Sequence, residues 1–373
     1  MEEDPDYLTK QLITCLGNKR ALLGPIGDAI RIVMTRLKVS KLRCWDAFAG
    51  SGVVSRFLKA HSSLVVSSDL EDYAATAVRC YQTNRSEVQL RELTALVERF
   101  NNVVDVEDRP RGFFEDLYAP RDDTRIVATD RAFYTRANAR RLDRYRSLID
   151  TAPARIRDLL LGPLLSEASV HANTAGVFKG FYKNRLSGIG RFGGSGADSL
   201  KRILGEIRLE SPILSRFECD HEVLQGDAND LATKLGPFDL AYFDPPYNQH
   251  PYGSNYFMLN LLVNNRRPEA ISRVSGIPTD WRRSGYNRRA EAAGLFGQLL
   301  SRTDARFLLV SFSNEGFIEP EAMSRLLRTH GSVRTFTMKY AAFRGSRSFE
   351  NRSVHVREML FLVDRRRRGR MRV

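Results

Sequence analysis

The stretch Cys44-Trp45-Asp46-Ala47-Phe48-Ala49-Gly50-Ser51-Gly52 does most to limit how this chain can fold. It follows a basic, turn-like stretch and precedes Val53-Val54-Ser55-Arg56-Phe57-Leu58, whose apolar spacing is helical. Strand, glycine-rich turn and helix in that order form the opening unit of an α/β sheet, and its turn is where such sheets take nucleotide-like ligands. Gly50 and Gly52 let backbone approach a ligand with no Cβ in the way. About 20 residues on, Leu64-Val65-Val66-Ser67-Ser68-Asp69 reads as a second strand ending in an acid, the place from which a carboxylate grips ribose hydroxyls. The GxGxxG spacing of dinucleotide sites is absent, and a carboxylate at Asp46 would repel a pyrophosphate. It suits a cationic ligand. S-adenosylmethionine carries a sulfonium, an ammonium and no phosphate, which favours it over NAD or ATP.

The rest of the chain keeps the same rhythm. Residues 1–38 read as an irregular start and an amphipathic helix carrying Leu22, Leu23, Ile26, Ile30, Val33 and Met34. Strands are predicted at 42–47, 64–68, 221–225, 238–243 and 306–312, with helices at 53–60, 72–82, near 256–264, near 288–303 and at 319–329. Two last strands, near 333–340 and 354–363, read as an antiparallel edge hairpin. Such alternation predicts a doubly wound, mostly parallel, Rossmann-like α/β sheet with an antiparallel C-terminal strand. From about 90 to 215 the texture changes, first to charged helix (Ala137 to Arg146), then to glycine, cation and aromatic interleaved. The expected division is core 1–90, a mainly helical inserted recognition region 91–215, core 216–364 and a basic tail 365–373 that is solvated and disordered.

A second motif lies at the end of the apolar run Phe238 to Phe243, where Asp244-Pro245-Pro246-Tyr247 follows. Proline fixes φ and has no N–H, so the carbonyls of Asp244 and Pro245 are held out as acceptors. A carboxylate, a carbonyl and an aromatic face complement an exocyclic amine on a planar base. Taken alone, the tetrapeptide reads equally well as a proline-rich turn after a strand. Together with the glycine turn it narrows the choice to amine chemistry beside a cationic cofactor.

These motifs, in this order, resemble the Dam-type (alpha-group, DPPY) adenine-N6 DNA methyltransferases, including those of restriction–modification systems. The resemblance covers roughly 1–100 and 216–365. It implies that Lys19, in Leu16-Gly17-Asn18-Lys19, lies against the cofactor and substrate pocket. Cys15 stands where the family usually has an aromatic. By the same resemblance Asp46, Phe48, Gly50, Gly52, Asp69, Asp227 of Gly226-Asp227-Ala228, and Asp244 hold the cofactor. Asp244, Pro245, Pro246 and Tyr247 form the catalytic turn. The segments from His171 to Gly194 and Phe343 to Arg347 resemble a restriction-associated subgroup.

Composition bounds the partner. Fifty-eight Lys and Arg against 44 Asp and Glu give a formal charge of +14, which suits a polyanion, and double-stranded DNA is the expected one. An arginine-rich composition inherited from a GC-rich genome would give the same bias. Lys179, Lys183, Arg185, Arg191, Tyr252, Asn255, Arg344 and Arg347 are the candidate DNA contacts, with the Trp281 to Arg289 segment beside them. Four dispersed cysteines, no CxxC, no HxxxH and no GxxxxGK[ST] predict neither a metal site, a disulfide framework nor a phosphate-binding P-loop. No run of 18 apolar residues occurs and the first residues lack a signal pattern, so no membrane partner and a cytoplasmic location (bacterial, archaeal or phage-encoded) are expected. A cognate restriction endonuclease is the partner such a system implies. The competing readings are an RNA base methyltransferase, whose usual turn begins with Asn, and cytosine-N4 methylation, usually with Ser. A noncatalytic DNA-binding subunit on the same fold is the third.

Overall fold

The computed structural model describes residues 2–15, 17–106, 111–194, 197–341 and 355–368. Its seven strands are β1 (Leu42–Asp46), β2 (Ser62–Asp69), β3 (Asp220–Gln225), β4 (Phe238–Phe243), β5 (Ala305–Ser313), β6 (Ser332–Ala341) and β7 (His355–Asp364). They lie in the order β3-β2-β1-β4-β5-β7-β6. All pairings are parallel except those of β7, which runs antiparallel to β5 and β6. This is the expected doubly wound methyltransferase-type sheet. The strand order reverses between β1 and β4, where Asp46 stands opposite Tyr242, and ligands gather at such a switch point.

The helices flank and extend this sheet. They are α1 (Leu23–Leu37), α2 (Val53–Lys59), α3 (Asp72–Gln82), α4 (Leu90–Val103), α5 (Phe113–Tyr118), α6 (Arg136–Thr151), α7 (Ala154–Val170), α8 (Ala197–Leu204), α9 (Ala228–Leu231), α10 (Tyr252–Asn255), α11 (Phe257–Asn264), α12 (Arg289–Arg302) and α13 (Pro320–Arg328). Strand side chains alternate between faces. Cys44, Leu240, Phe307 and Leu309 pack with Ile26, Ile30 and Val33 of α1 on one face. Trp45, Ala241, Leu308 and Val310 pack with Phe296 and Leu299 of α12 on the other. Burial on both faces explains why these strands read as near-continuous apolar runs.

Between 90 and 215 the described residues form α4 to α8 and no strand of the sheet. Their apolar side chains share one core with Tyr73, Ala77 and Tyr81 of α3 and with Phe257 to Leu262 of α11. A Cβ on Gly162 of α7 would stand 2.5 Å from the Cys80 Sγ of α3, so the two helices meet almost backbone to backbone. The insert is thereby packed onto α3 and α11.

One expectation changes at the C-terminus. Arg365, half-buried, and Arg366, still exposed, are both tied down: Arg365 donates to the Thr303 carbonyl, and Arg366 pairs with Asp364 at 2.9 Å and donates to the Arg36 carbonyl. Helix-end carbonyls and a buried carboxylate give these guanidiniums partners that solvent would otherwise supply. The rest of the basic tail, beyond Arg368, lies outside the described residues.

Candidate active site

Two βα corners and an N-terminal strap build the site. β1 ends at Asp46, and Gly50 and Gly52 follow with φ of +53° and +76°, a region that L side chains rarely adopt. The corner is braced by Ala47 donating to the Tyr242 carbonyl at 3.1 Å and by Ala49 donating to the Ser68 carbonyl at 2.9 Å. Asp46 is fully buried; its Oδ2 accepts from Ser55 Oγ at 2.6 Å, while its Oδ1 has no hydrogen-bond partner among the described residues. Burial pushes its carboxyl up to about 7, against the opposing pull of Ser55. Asp69, at the end of β2, accepts from the Gly50 N–H at 2.8 Å and the Glu71 N–H at 2.9 Å, so the ribose-type acid is bound to the glycine turn itself. Asp227 caps α9 through the Asn229 N–H at 2.8 Å. Phe48 meets Tyr286 edge-on at 5.4 Å.

β4 delivers the second corner. Asp244 lines the same cavity as Asp46, Phe48, Gly50, Asp69 and Asp227, as does Pro246. Gly52 and Tyr247 stand just outside that cavity's wall. Gly52 packs against Val78 of α3; Tyr247 is set edge-on to Phe312 at 5.6 Å and its carbonyl accepts from the Phe317 N–H at 2.8 Å. Pro245 is buried beneath the turn. Burial pushes the Asp244 carboxyl up to about 6, although the Lys19 ammonium works against this.

Lys19 arrives from the strap. Its Nζ is 3.0 Å from Asp244 and 3.2 Å from Glu358, donates to the Gly17 carbonyl at 3.2 Å, and lies 5.7 Å from the Tyr247 ring centre. Burial disfavours its charge, but Asp244, Tyr247 and Glu358 together raise its pKa well above the ordinary lysine value. The strap is anchored by Arg56 of α2, fully buried, which donates to the carbonyls of Tyr7, Lys10 and Gln11 and stacks on Tyr81.

The candidate DNA contacts divide. Lys179, Lys183, Arg185 and Arg191 are exposed; Lys183 pairs with Gly190 to close a short hairpin whose tip, Leu186, is 99% exposed. Tyr252 instead lines the cavity near Cys15, stacked on Tyr256 at 5.8 Å. Asn255 is buried, unlike the four cations. Residues 252–255 wind into α10, which buries Asn255 to 3% exposure and sets its carbonyl to accept from the Phe178 N–H. Arg344 and Arg347 lie outside the described residues.

Sequence reasoning missed Glu358, Glu71 and Arg56. Glu71, buried and bound by Asn260 at 2.6 Å, lines the cavity; burial pushes it up to about 7. Its signal was the Asp69-Leu70-Glu71-Asp72 run, in which only the first acid was singled out. Among the described residues no group of three or more His, Cys, Asp or Glu is placed to hold a metal ion, and no helix is long and apolar enough to cross a membrane.

A doubly wound sheet with β7 antiparallel, a glycine turn after β1 and an acid-proline-proline-tyrosine turn after β4 defines a Rossmann-like methyltransferase. Residues 16–323 match the D12 class N6 adenine-specific DNA methyltransferases, and the chain belongs to that family. It is 27% identical over 323 residues to the type II methyltransferase M.CviAII of Paramecium bursaria Chlorella virus 1, covering 85% of this chain and 89% of that one. It is 26% identical over 348 residues to the type II methyltransferase M.NlaIII of Neisseria lactamica, covering 91% and 94%. The type II methyltransferase M.FokI of Planomicrobium okeanokoites is 24% identical over 363 residues, 94% of this chain but 52% of that longer protein.

Proposed function

We propose that this chain methylates the N6 amine of an adenine flipped out of a specific site in double-stranded DNA, with S-adenosylmethionine as donor. We propose further that it serves as the modification arm of a type II restriction–modification system, alongside a cognate endonuclease. The observation that carries the reading is the placement of Asp244 and the glycine turn on adjacent strands around one cavity. The residues fit the cofactor: the unpartnered Asp46 Oδ1 is an anionic acceptor for an ammonium, Gly50 removes a Cβ from its path, and Asp69 and Glu71 offer carboxylates to ribose hydroxyls. When bound, S-adenosylmethionine supplies an activated methyl group.

The chain's residues do the rest. Flipping an adenine costs a few kcal/mol, and stacking on an aromatic returns roughly 1–3 kcal/mol; Tyr247 is that platform. Asp244 and the Pro245 carbonyl accept the two N6 hydrogens. Drawing both out of the ring plane localises the nitrogen lone pair toward the methyl donor. Fixed geometry then supplies most of the acceleration, with no covalent enzyme intermediate. The test is to incubate the purified chain with tritiated S-adenosylmethionine and either DNA or ribosomal RNA, then identify the modified base. N6-methyladenine in DNA is expected, and Asp244→Ala should bind DNA and cofactor yet transfer nothing. Label confined to RNA, or near-normal transfer by Asp244→Ala, would overturn the proposal.

A further inference from the structure

We propose that Glu358 is a positioning residue for methyl transfer: as a second buried carboxylate on one ammonium, it fixes Lys19 against Asp244 and leaves Asp244 free to take up the amine proton. The inference rests on the role given to Asp244 above. Glu358 is wholly buried on β7, between β5 and β6, on the strand face that also carries the buried Leu360 and Leu362. Its Oε1 accepts from Ser311 Oγ at 2.9 Å and stands 3.2 Å from Lys19 Nζ. An unpaired carboxylate there would be costly, and a pair is retained where geometry is good. The ammonium donates to the Gly17 carbonyl and stands within ion-pair reach of both Asp244 Oδ1 and Glu358 Oε1, so one cation serves two carboxylates.

The charge count gives this geometry its chemical meaning. Facing the Lys19–Asp244 pair are Glu358 from β7, Tyr242 and Tyr247 from β4 and its turn, Asp46 from β1, Asp69 from β2, Tyr252 from α10 and Cys15 from the strap. A single lysine–aspartate pair would lock the carboxylate in its ionised form and weaken it as a proton acceptor. The second carboxylate competes for the same ammonium and restores that basicity; Glu358 indeed raises the Asp244 pKa where Lys19 lowers it. In the reaction the N6 lone pair forms the new carbon–nitrogen bond, and the carbon–sulfur bond breaks with its electrons left on sulfur. One N–H bond then breaks, its pair stays on nitrogen, and Asp244 takes the proton. The three-residue cluster passes from one net negative charge to none, so no new charge is left buried.

Single-turnover transfer of tritiated methyl groups to DNA free of N6-methyladenine, followed across pH, tests this. In Glu358→Gln the acidic limb should move down by about one pH unit and the plateau rate should fall about tenfold, while cofactor and DNA affinity change little. In Lys19→Gln the limb should move the other way, up by roughly 1–3 units. Opposite shifts identify a shared charge cluster, which a purely structural role for Glu358 would not produce. If Glu358→Gln fails to fold, Glu358→Asp, which keeps the charge but draws it back from Lys19 Nζ, takes its place: its acidic limb should also move down, by less, and an unmoved limb overturns the role of Glu358. Unmoved limbs in both variants, with Asp244→Ala inactive, would overturn the role of Glu358 and leave the proposed function standing. An active Asp244→Ala would remove both.

Discussion

Asp46 shows how one residue can couple burial, charge and ligand. Its carboxyl is pushed from an ordinary 3.8 to about 7 because the β1 corner removes it from water. A pKa raised on folding contributes stability that is fully present below the unfolded value and is lost as pH rises through the folded one. For Asp46 the window is about pH 4 to about 7, so the ligand-free protein is weakened across it. A cationic ligand needs the ionised form and releases a proton on binding. S-adenosylmethionine affinity should therefore rise roughly tenfold per pH unit up to about 7 and then level off. Titration calorimetry in buffers of different ionisation enthalpy measures the proton released, and Asp46→Asn should flatten the dependence. A flat profile in the native chain would contradict the role of this carboxylate. At Tyr247, the ring matters more than the hydroxyl, so Tyr247→Phe should cost little and Tyr247→Ala much more of kcat/KM, by roughly 1–3 kcal/mol. The reverse order would exclude stacking.

Elements explain what could be read in advance. The sheet was legible because its strands are short, apolar and punctuated by Gly, Pro and Asp, and the range 238–243 predicted for the strand before Asp244-Pro245-Pro246-Tyr247 is the one observed. The corner after β1 was legible because Gly50 takes a positive φ that few other residues adopt and Asp69 accepts from its N–H. Glu358 was not, because an acid in the middle of an edge-hairpin strand looks like any exposed strand position until tertiary packing buries it. The burial of Asn255 was hidden for the converse reason: a polar residue of an expected loop is buried where 252–255 form α10. Helix packing also inverts a local rule at Gly162. Alanine in mid-helix is normally about 1 kcal/mol better than glycine, yet here its methyl would meet Cys80 Sγ at 2.5 Å. Gly162→Ala should therefore lower stability, by about 1–3 kcal/mol as for overpacked cores. Urea unfolding of the two proteins decides the sign.

At the scale of the molecule, the +14 charge and the position of the helical insert address how DNA is held. The insert shares its core with α11 and with α3, whose Tyr73 lines the cavity between Asp46 and Asp244. Its exposed hairpin carries the cations Lys183 and Arg185 beside Leu186, with the Lys183 ammonium 5.1 Å from the ring centre of Phe181. Sequence preference resides in a few base-edge contacts that no single-chain pattern encodes, whereas phosphate attraction is set by count and position of charge. If the hairpin tracks the backbone, replacing Lys183 and Arg185 with alanine should weaken DNA binding by similar factors on all sequences. The slope of log affinity against log salt should become shallower by about 1 for each side chain lost. The methylated site should stay the same, and kcat at saturating DNA should fall less than kcat/KM. Filter binding over a salt series, with modified-base sequencing of the product, reads both quantities. A changed target site with an unchanged salt slope would instead assign these residues to base readout.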